Sequence, residues 1–317
     1  MTHQENWKKM AGGNRPAARR PARTGAVLAL LLGAASLLAA RAADRDSLRD
    51  YPVRKTEDIR KTLKFADVSK PGEVVIDNVF GPIVVEGYEG ADVLLVAHRT
   101  TYAKTEDKAA RAAEEVTLDI QEKGRTVDIY VDGPFRDHDR DRGRRGFHSW
   151  RNPGYEVHYA FEVKVPFRTD VAVSTVTDGD VEVRGVEGEF DVHNVNGKLR
   201  MSDVAGSGDA ETVNGELAVG FRSAPAGPCA FKTVNGDLVL TLPGGAGADF
   251  RLKTWNGQVY SDFDVTPLPG RPPVREKGPG KFVYKSDRSF GVRAGRGGPE
   301  ISLDTMNGDI LIKKMTV

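Results

Sequence analysis

The sequence predicts an all-β chain, a β-solenoid whose coils of 18–21 residues close on Asn-Gly turns, with one short helix in its N-terminal part. Three observations carry that expectation. A phrase ending in Asn-Gly recurs at Asn196-Gly197, Asn214-Gly215, Asn235-Gly236, Asn256-Gly257 and Asn307-Gly308, with a variant at Asp178-Gly179 and a distant relative at Phe80-Gly81. Such pairs favour tight turns, because glycine has no Cβ to clash and asparagine tolerates the left-handed region. Apolar residues alternate on both sides of each turn. The second residue after the Gly is Ile83, Val181, Leu199, Leu217, Leu238, Val259 or Ile310. The fourth is Val85, Val183, Met201, Val219, Leu240, Ser261 or Ile312, with Ser261 the exception. Period-two alternation means strand, turn, strand with one buried face. Finally, the Gly-to-Gly spacings are 18, 18, 21 and 21, followed by a jump of 51 to Gly308.

A repeat near twenty residues marks units that bury their faces on their neighbours. Position-by-position likeness favours stacked coils, whose equivalent residues lie roughly 4.8 Å apart and form ladders. Thr212, Thr233, Thr254 and Thr305 share one such position, and the five asparagines share another. The alternative is an antiparallel meander of Asn-Gly hairpins, which needs the turns but gives the copies no reason to resemble one another.

Taken in order, Met1 to Thr24 is basic, with Lys8, Lys9, Arg15, Arg19, Arg20 and Arg23 against Glu5. An apolar run from Gly25 to Ala40 and the triplet Ala40-Arg41-Ala42 follow. This reads as a signal peptide over 1–43, the alternative being an uncleaved membrane anchor. Residues 44–70 form a charged linker with scattered apolar residues, and the repeat domain spans 71–317. Ala103 to Val116 is the one predicted helix, with Thr105 as its cap and Glu106 and Asp107 suited to its N-terminus. Strands at Val116–Ile120 and Thr126–Val131 flank a Lys123-Gly124 turn. Residues 132–153 alternate Asp and Arg and read as an exposed loop. Residues 264–299 are a Pro/Gly-rich insertion with strands expected at Lys281–Tyr284 and Ser289–Arg293.

Charge and cysteine content exclude several classes. The chain carries 46 Lys and Arg against 45 Asp and Glu, a net charge of +1. Residues 1–25 hold six cations and one anion, so the remainder carries 1 − 5 = −4. That balance points away from nucleic acid. The single cysteine, Cys229, permits neither an intramolecular disulfide nor a cysteine metal cage, and is expected to be small and buried.

The runs Val165-Pro166 to Val183, the serial Thr-Val-Asn-Gly copies and the closing Gly297-Gly298-Pro299 to Ile310 resemble the bacterial β-strand-repeat family called "putative adhesins", a domain of unknown function. The resemblance covers roughly 71–317. It implies an exported β-repeat domain at the cell envelope and supplies no catalytic residues. The Asp/Arg loop and the Pro/Gly insertion depart from its pattern.

The chemistry-bearing residues favour a non-catalytic module. Asp180, Asp237 and Asp309 follow the turn Gly directly, a position also held by Lys198, Glu216, Gln258 and Pro82, so they read as solvent-facing strand residues. Glycoside chemistry instead needs two carboxylates at a set separation. A carbohydrate-active enzyme on a β-helix scaffold is the alternative, favoured by paired carboxylates across adjacent coils. A third reading is the outward domain of a membrane-tethered envelope sensor. No metal spacing or cofactor motif is present, so neither is expected. Asp178, Gly179 and the Asn-Gly pairs at 196–197, 214–215, 235–236, 256–257 and 307–308 form a structural turn ladder. Trp255 is expected to cap an apolar ladder shared with Met306. Phe147 and Trp150, aromatics in the charged loop, are the ligand-contact candidates. The expected partner is an envelope protein, a glycan or a second copy of the chain, reached from the periplasm, the cell surface or the medium.

Overall fold

The computed structural model describes residues 50–67, 70–137, 146–147, 153–270, 274–278, 281–285 and 289–315; for 137, 146–147, 274–278 and 281–285 the backbone alone is described. All lie in one compact unit, Ala39–Val317. The predicted signal segment lies outside the described residues.

The chain begins with β1 (Val53–Leu63), an eleven-residue strand in the stretch expected to be a linker. β2 (Glu73–Asp77) and β3 (Ile83–Tyr88) flank the turn at Gly81. β4 (Val93–Ala103) leads to helix α1 (Glu106–Glu115), where the Thr105 side chain accepts from the Lys108 amide at 3.3 Å as its cap. β5 (Thr117–Lys123) and β6 (Thr126–Asp132) pair antiparallel across the expected turn. The short β7 (Arg136–Asp137) and β8 (Gly146–Phe147) pair, and β9 (Tyr155–Pro166) follows.

The repeats come next, two strands each. They are β10 (Asp170–Thr175) with β11 (Val181–Arg184), β12 (Phe190–Asn194) with β13 (Leu199–Val204), and β14 (Gly208–Glu211) with β15 (Leu217–Phe221). Then follow β16 (Cys229–Lys232) with β17 (Leu238–Leu242), and β18 (Ala248–Asn256) with β19 (Val259–Ser261). The insertion contributes β20 (Val265–Leu268), the hairpin β21 (Val274–Gly278) and β22 (Lys281–Lys285), and β23 (Phe290–Ala294). The last repeat is β24 (Glu300–Asn307) with β25 (Ile310–Lys314).

The all-β class holds, as two large mixed sheets, neither closed on itself. One runs β1-β4-β9-β3-β11-β13-β15-β17-β25-β19, the other β20-β23-β18-β24-β16-β14-β12-β10-β2-β6-β5. The two strands around each Asn-Gly turn lie in different sheets and pair with the same strands of neighbouring repeats in parallel. This overturns the hairpin meander, in which they would pair with each other. Inward residues of both sheets, among them Val173, Val192, Leu199, Leu217, Phe231 and Leu238, form one buried core. The rings of Phe190 and Phe231 stack at 6.2 Å because the strand between them offers only Gly208 and Ala210.

The order of repeats departs from the order of the sequence. β24 lies between β16 and β18, and β25 between β17 and β19, so the last repeat sits inside the one that precedes it in the chain. The 51-residue jump holds β20 to β23, of which β20 and β23 extend the eleven-stranded sheet beyond β18 while β21 and β22 pair with each other. The close approach of Gly247 to Gly297 and Gly298, where an added Cβ would meet carbonyl oxygen, is where the β23–β24 connection passes β18.

In the first repeat Ser174 lies next to the core position of its strand and not in it. Val173 pairs with Val192 and fills the core position, and this turn carries one extra residue, absorbed by Asp178 at φ 54°. Ser174 faces outward and its hydroxyl donates to Asp77. The Asp/Arg segment also differs from expectation. Its first residues are core: Phe135 is fully buried, and the buried Arg136 guanidinium donates to the Asp77 carboxylate at 3.0 Å and to the Val131 carbonyl, lying 4.5 Å from the Tyr130 ring. Residues 138–145 and 148–152 lie outside the described residues. At the end of α1, the buried Tyr155 hydroxyl donates to Glu115, which also pairs with Arg111 at 2.6 Å, tying the helix to β9.

Removing one partner of a buried ion pair strands the other, at a cost of about 3 kcal/mol. Urea unfolding of Arg136→Ala is expected to show a loss of that size, and Arg136→Met combined with Asp77→Asn to recover part of it. Equal stability of Arg136→Ala and the parent would show that the buried pair does not hold the segment.

Candidate functional site

The residues singled out by the sequence come together as two ladders at the turn edge. The inner one is buried except at its last member, Thr254, which is half-buried. Thr175 donates to the Gly81 carbonyl at 3.1 Å, Asn194 to Gly179 at 2.9 Å, Thr212 to Gly197 at 3.2 Å and Thr233 to Gly215 at 3.1 Å. Thr305 donates to Gly236 at 3.1 Å and Thr254 to Gly308 at 3.0 Å, following the spatial order. The outer ladder is exposed. Asn196 donates to the Val176 carbonyl at 3.2 Å, and the side-chain amides of Asn214, Asn235, Asn307 and Asn256 then link each to the one before at 2.7–2.8 Å. The turn glycines bring backbones into contact: a Cβ on Gly197, Gly215, Gly236, Gly308 or Gly257 would collide with the carbonyl oxygen of the Gly in the adjacent repeat.

The carboxylates after the turn do more than face solvent. Asp180 accepts from the Lys198 amide, Asp237 from the Asp309 amide and Asp309 from the Gln258 amide, each at 2.8 Å. They are committed to holding the neighbouring repeat.

A second grouping lies on the outer face of the eleven-stranded sheet. Asp191 pairs in register with Asp209, and His193 with Glu211. His193 Nε2 lies 2.7 Å from Asp191, and Lys232 donates to Glu211 at 2.7 Å. Burial opposes a charge on His193. The hydrogen bond to Asp191, with the charges of Asp191, Glu211 and Asp209, outweighs it and holds the imidazole above its usual range. The setting of His193 depends on which repeats are neighbours, since Asp209 and Glu211 belong to the following repeat.

Cys229 is buried, and burial pushes its thiol up to about 11, so it stays protonated and inert at neutral pH. Trp255 and Met306 do not form a sealed cap: they stand side by side, 62% and 47% exposed. Phe147 pairs with Arg136 through its backbone, while its side chain and all of Trp150 lie outside the described residues. Among the described residues no group of three His, Cys, Asp or Glu side chains is placed to hold a metal ion, and no helix is long and apolar enough to cross a membrane. Asn194 was missed by sequence reasoning. It stands two residues before Asn196, where later repeats carry threonine, and that alignment was the available signal.

No family model matches this chain, and no curated protein matches it. Among solved structures it is similar to a "putative cell adhesion protein" from Clostridium sporogenes, at 11% identity and a TM-score of 0.41, covering 82% of this chain and 100% of the other. It is also similar to a "putative adhesin" from Bacteroides fragilis, at 11% identity and a TM-score of 0.31, covering 82% and 97%. A "putative lipid binding protein" from Parabacteroides distasonis is similar at 10% identity and a TM-score of 0.26, covering 82% and 97%. Nothing about ligand or partner carries over at these distances.

Two outcomes follow from the ladders and the histidine. Thr233→Val keeps shape but leaves the Gly215 carbonyl without its donor, so chemical denaturation is expected to show a loss of about 1–3 kcal/mol, whereas Gly236→Ala is expected to abolish cooperative folding. The raised pKa of His193 means its stabilisation is fully present below its usual 6.5 and fades as pH rises through the folded value. The stability gap between parent and His193→Gln is therefore expected to be larger at about pH 5.5 than at about pH 8.5; a gap constant with pH would show that the ion pair contributes nothing.

Proposed function

We propose that this protein is a non-catalytic, adhesin-like module exported to the cell envelope, and that its two sheets form a β-solenoid presenting a long, rigid face to a glycan, an envelope protein or another copy. The solenoid reading is supported by the alternation of each repeat between the two sheets and by parallel pairing with its neighbours. One observation carries the functional reading: the polar groups of the turn edge are spent on the adjacent repeat, the threonines and Asn194 on glycine carbonyls, the asparagines on one another and the aspartates on backbone amides. A surface so committed builds a scaffold. The basic and apolar N-terminal segment supports export, with cleavage near residue 43 and release to the periplasm, surface or medium as the first form and an uncleaved anchor as the second. In the anchored form the repeats would be the outward domain of an envelope sensor.

The enzymatic alternative has one observation in its favour. Asp191 and Asp209 are register neighbours on adjacent repeats, and the backbones of neighbouring strands lie about 4.8 Å apart, close to the roughly 5–5.5 Å between the carboxyl groups of retaining glycosidases. Against it, Asp191 is held by His193 on an open sheet face.

Incubation with polygalacturonate, alginate and β-glucans, followed for unsaturated uronides and new reducing ends, is expected to give no product. Product that disappears in both Asp191→Asn and Asp209→Asn would replace the scaffold reading with the enzymatic one. N-terminal sequencing of tagged protein from fractionated cells tests export: a start near Ala43 outside the cytoplasm is expected, and an intact N-terminus in the cytoplasm would overturn it.

A further inference from the structure

The four edges of the two sheets are not protected alike. β1 carries Arg54, Lys55, Glu57, Asp58, Arg60 and Lys61 along its length. β5 carries Asp119, Glu122 and Lys123, and β20 carries Pro267, which has no amide to offer. Charge and proline are the usual means of keeping an open edge from pairing with another chain. The fourth edge, β19, reads Val259-Tyr260-Ser261 and has neither.

This edge is also where the core runs out. Positions equivalent to Val259 and Ser261 are buried in every other repeat strand of that sheet: Val181 and Val183, Leu199 and Met201, Leu217 and Val219, Leu238 and Leu240, Ile310 and Ile312. Val259 is only half-buried, Ser261 is exposed, and Tyr260 is 54% exposed on the outer face. On the other sheet the same end is closed by β23 and β20, beneath which Phe250 and Leu252 are fully buried.

The backbone of β19 defines what would fit. Ile310 donates to the Gln258 carbonyl and Asp262 to the Ile312 carbonyl, so the ladder to β25 uses 258, 260 and 262. The N–H and C=O groups of Val259 and Ser261 therefore point along the edge, where no strand among the described residues pairs with them. A row of two such residues centred on Tyr260 is complementary to itself under a two-fold rotation. Val259 of one copy then exchanges both hydrogen bonds with Ser261 of the other, and the two Tyr260 residues meet at the axis as a non-hydrogen-bonded pair.

We propose that β19 is an interface with a second copy of this chain, joined tail to tail by antiparallel pairing of the two edges into one continuous sheet. The charged edges β1 and β5 at the opposite end block head-to-tail addition, so the assembly stops at a closed dimer and does not grow into a filament. The edge is three residues long and offers four hydrogen bonds, so association is weak and concentration-dependent.

Sedimentation equilibrium of the mature chain up to about 300 µM tests the proposal, a range that covers weak self-association. Twice the chain mass at the upper end is expected, and the monomer mass for Tyr260→Lys, which sets like charges directly opposite. Circular dichroism and urea unfolding distinguish a lost interface from a lost fold. Tyr260→Cys supplies an independent readout: it is expected to form a disulfide dimer under mild oxidation, with no competition from the buried Cys229. A monomer throughout the range, a Tyr260→Lys dimer, species larger than two chains, or no cross-link in Tyr260→Cys would each overturn the interface.

Discussion

The structure depends on one short contact made again and again: a buried hydroxyl or amide of one repeat donating to the carbonyl of the turn glycine in the next. That carbonyl is brought within reach because the glycine beside it has no side chain. With any other residue there the backbones part, the donor misses its acceptor, and a polar group is left buried and unpaired. Asn194, Thr212, Thr233, Thr305 and Thr254 are each placed by this demand, and so are the glycines opposite them. The apolar alternation then follows, since strands locked at the turn must send every second side chain into the space between the sheets. The exposed asparagine chain runs along the same edge as an outer seam.

Much of this was legible in the sequence because local and long-range requirements coincide at the turn. The Asn-Gly pairs, the threonine position, the period-two alternation and the Thr105 cap each have a meaning that a short window reveals. Even Ser261 was informative: the one polar residue in an otherwise apolar column marks the end of a sheet. What stayed hidden was decided by neighbours far along the chain. Arg136 sits in a run of charged residues and nothing nearby says that Asp77 will meet it in the core. His193 looks like any surface histidine until Asp209 and Glu211 are laid beside it by the following repeat. Phe147 and Trp150 were singled out by composition alone, and the described residues place neither side chain.

The two outer faces differ in chemistry although they share one backbone plan. The eleven-stranded sheet presents cross-strand ion pairs, with Lys232 on Glu211 and Lys253 on Asp304. The ten-stranded sheet presents Ala218, Val239, Leu311 and Tyr260 in one outward row, grading from charged neighbours at Glu182 and Arg200 to an aromatic edge. The ten-stranded sheet carries ion pairs as well, Lys164 on Glu86 and Arg184 on Glu182, so its drier surface is confined to the strands nearest β19.

The position of the last repeat bears on how the chain is made. Ladder contacts are alike at every layer, so β18 and β19 carry the same donors for the layer below them whether that layer is β16 with β17 or β24 with β25. During synthesis β18 and β19 precede β24 and β25, so the layer they finally flank is made after them. The finished stack therefore has a later layer lying between two earlier ones. The carboxyl-terminal sixteen described residues are thus a keystone and not a tail: trimming them would open a seam in the middle of both sheets.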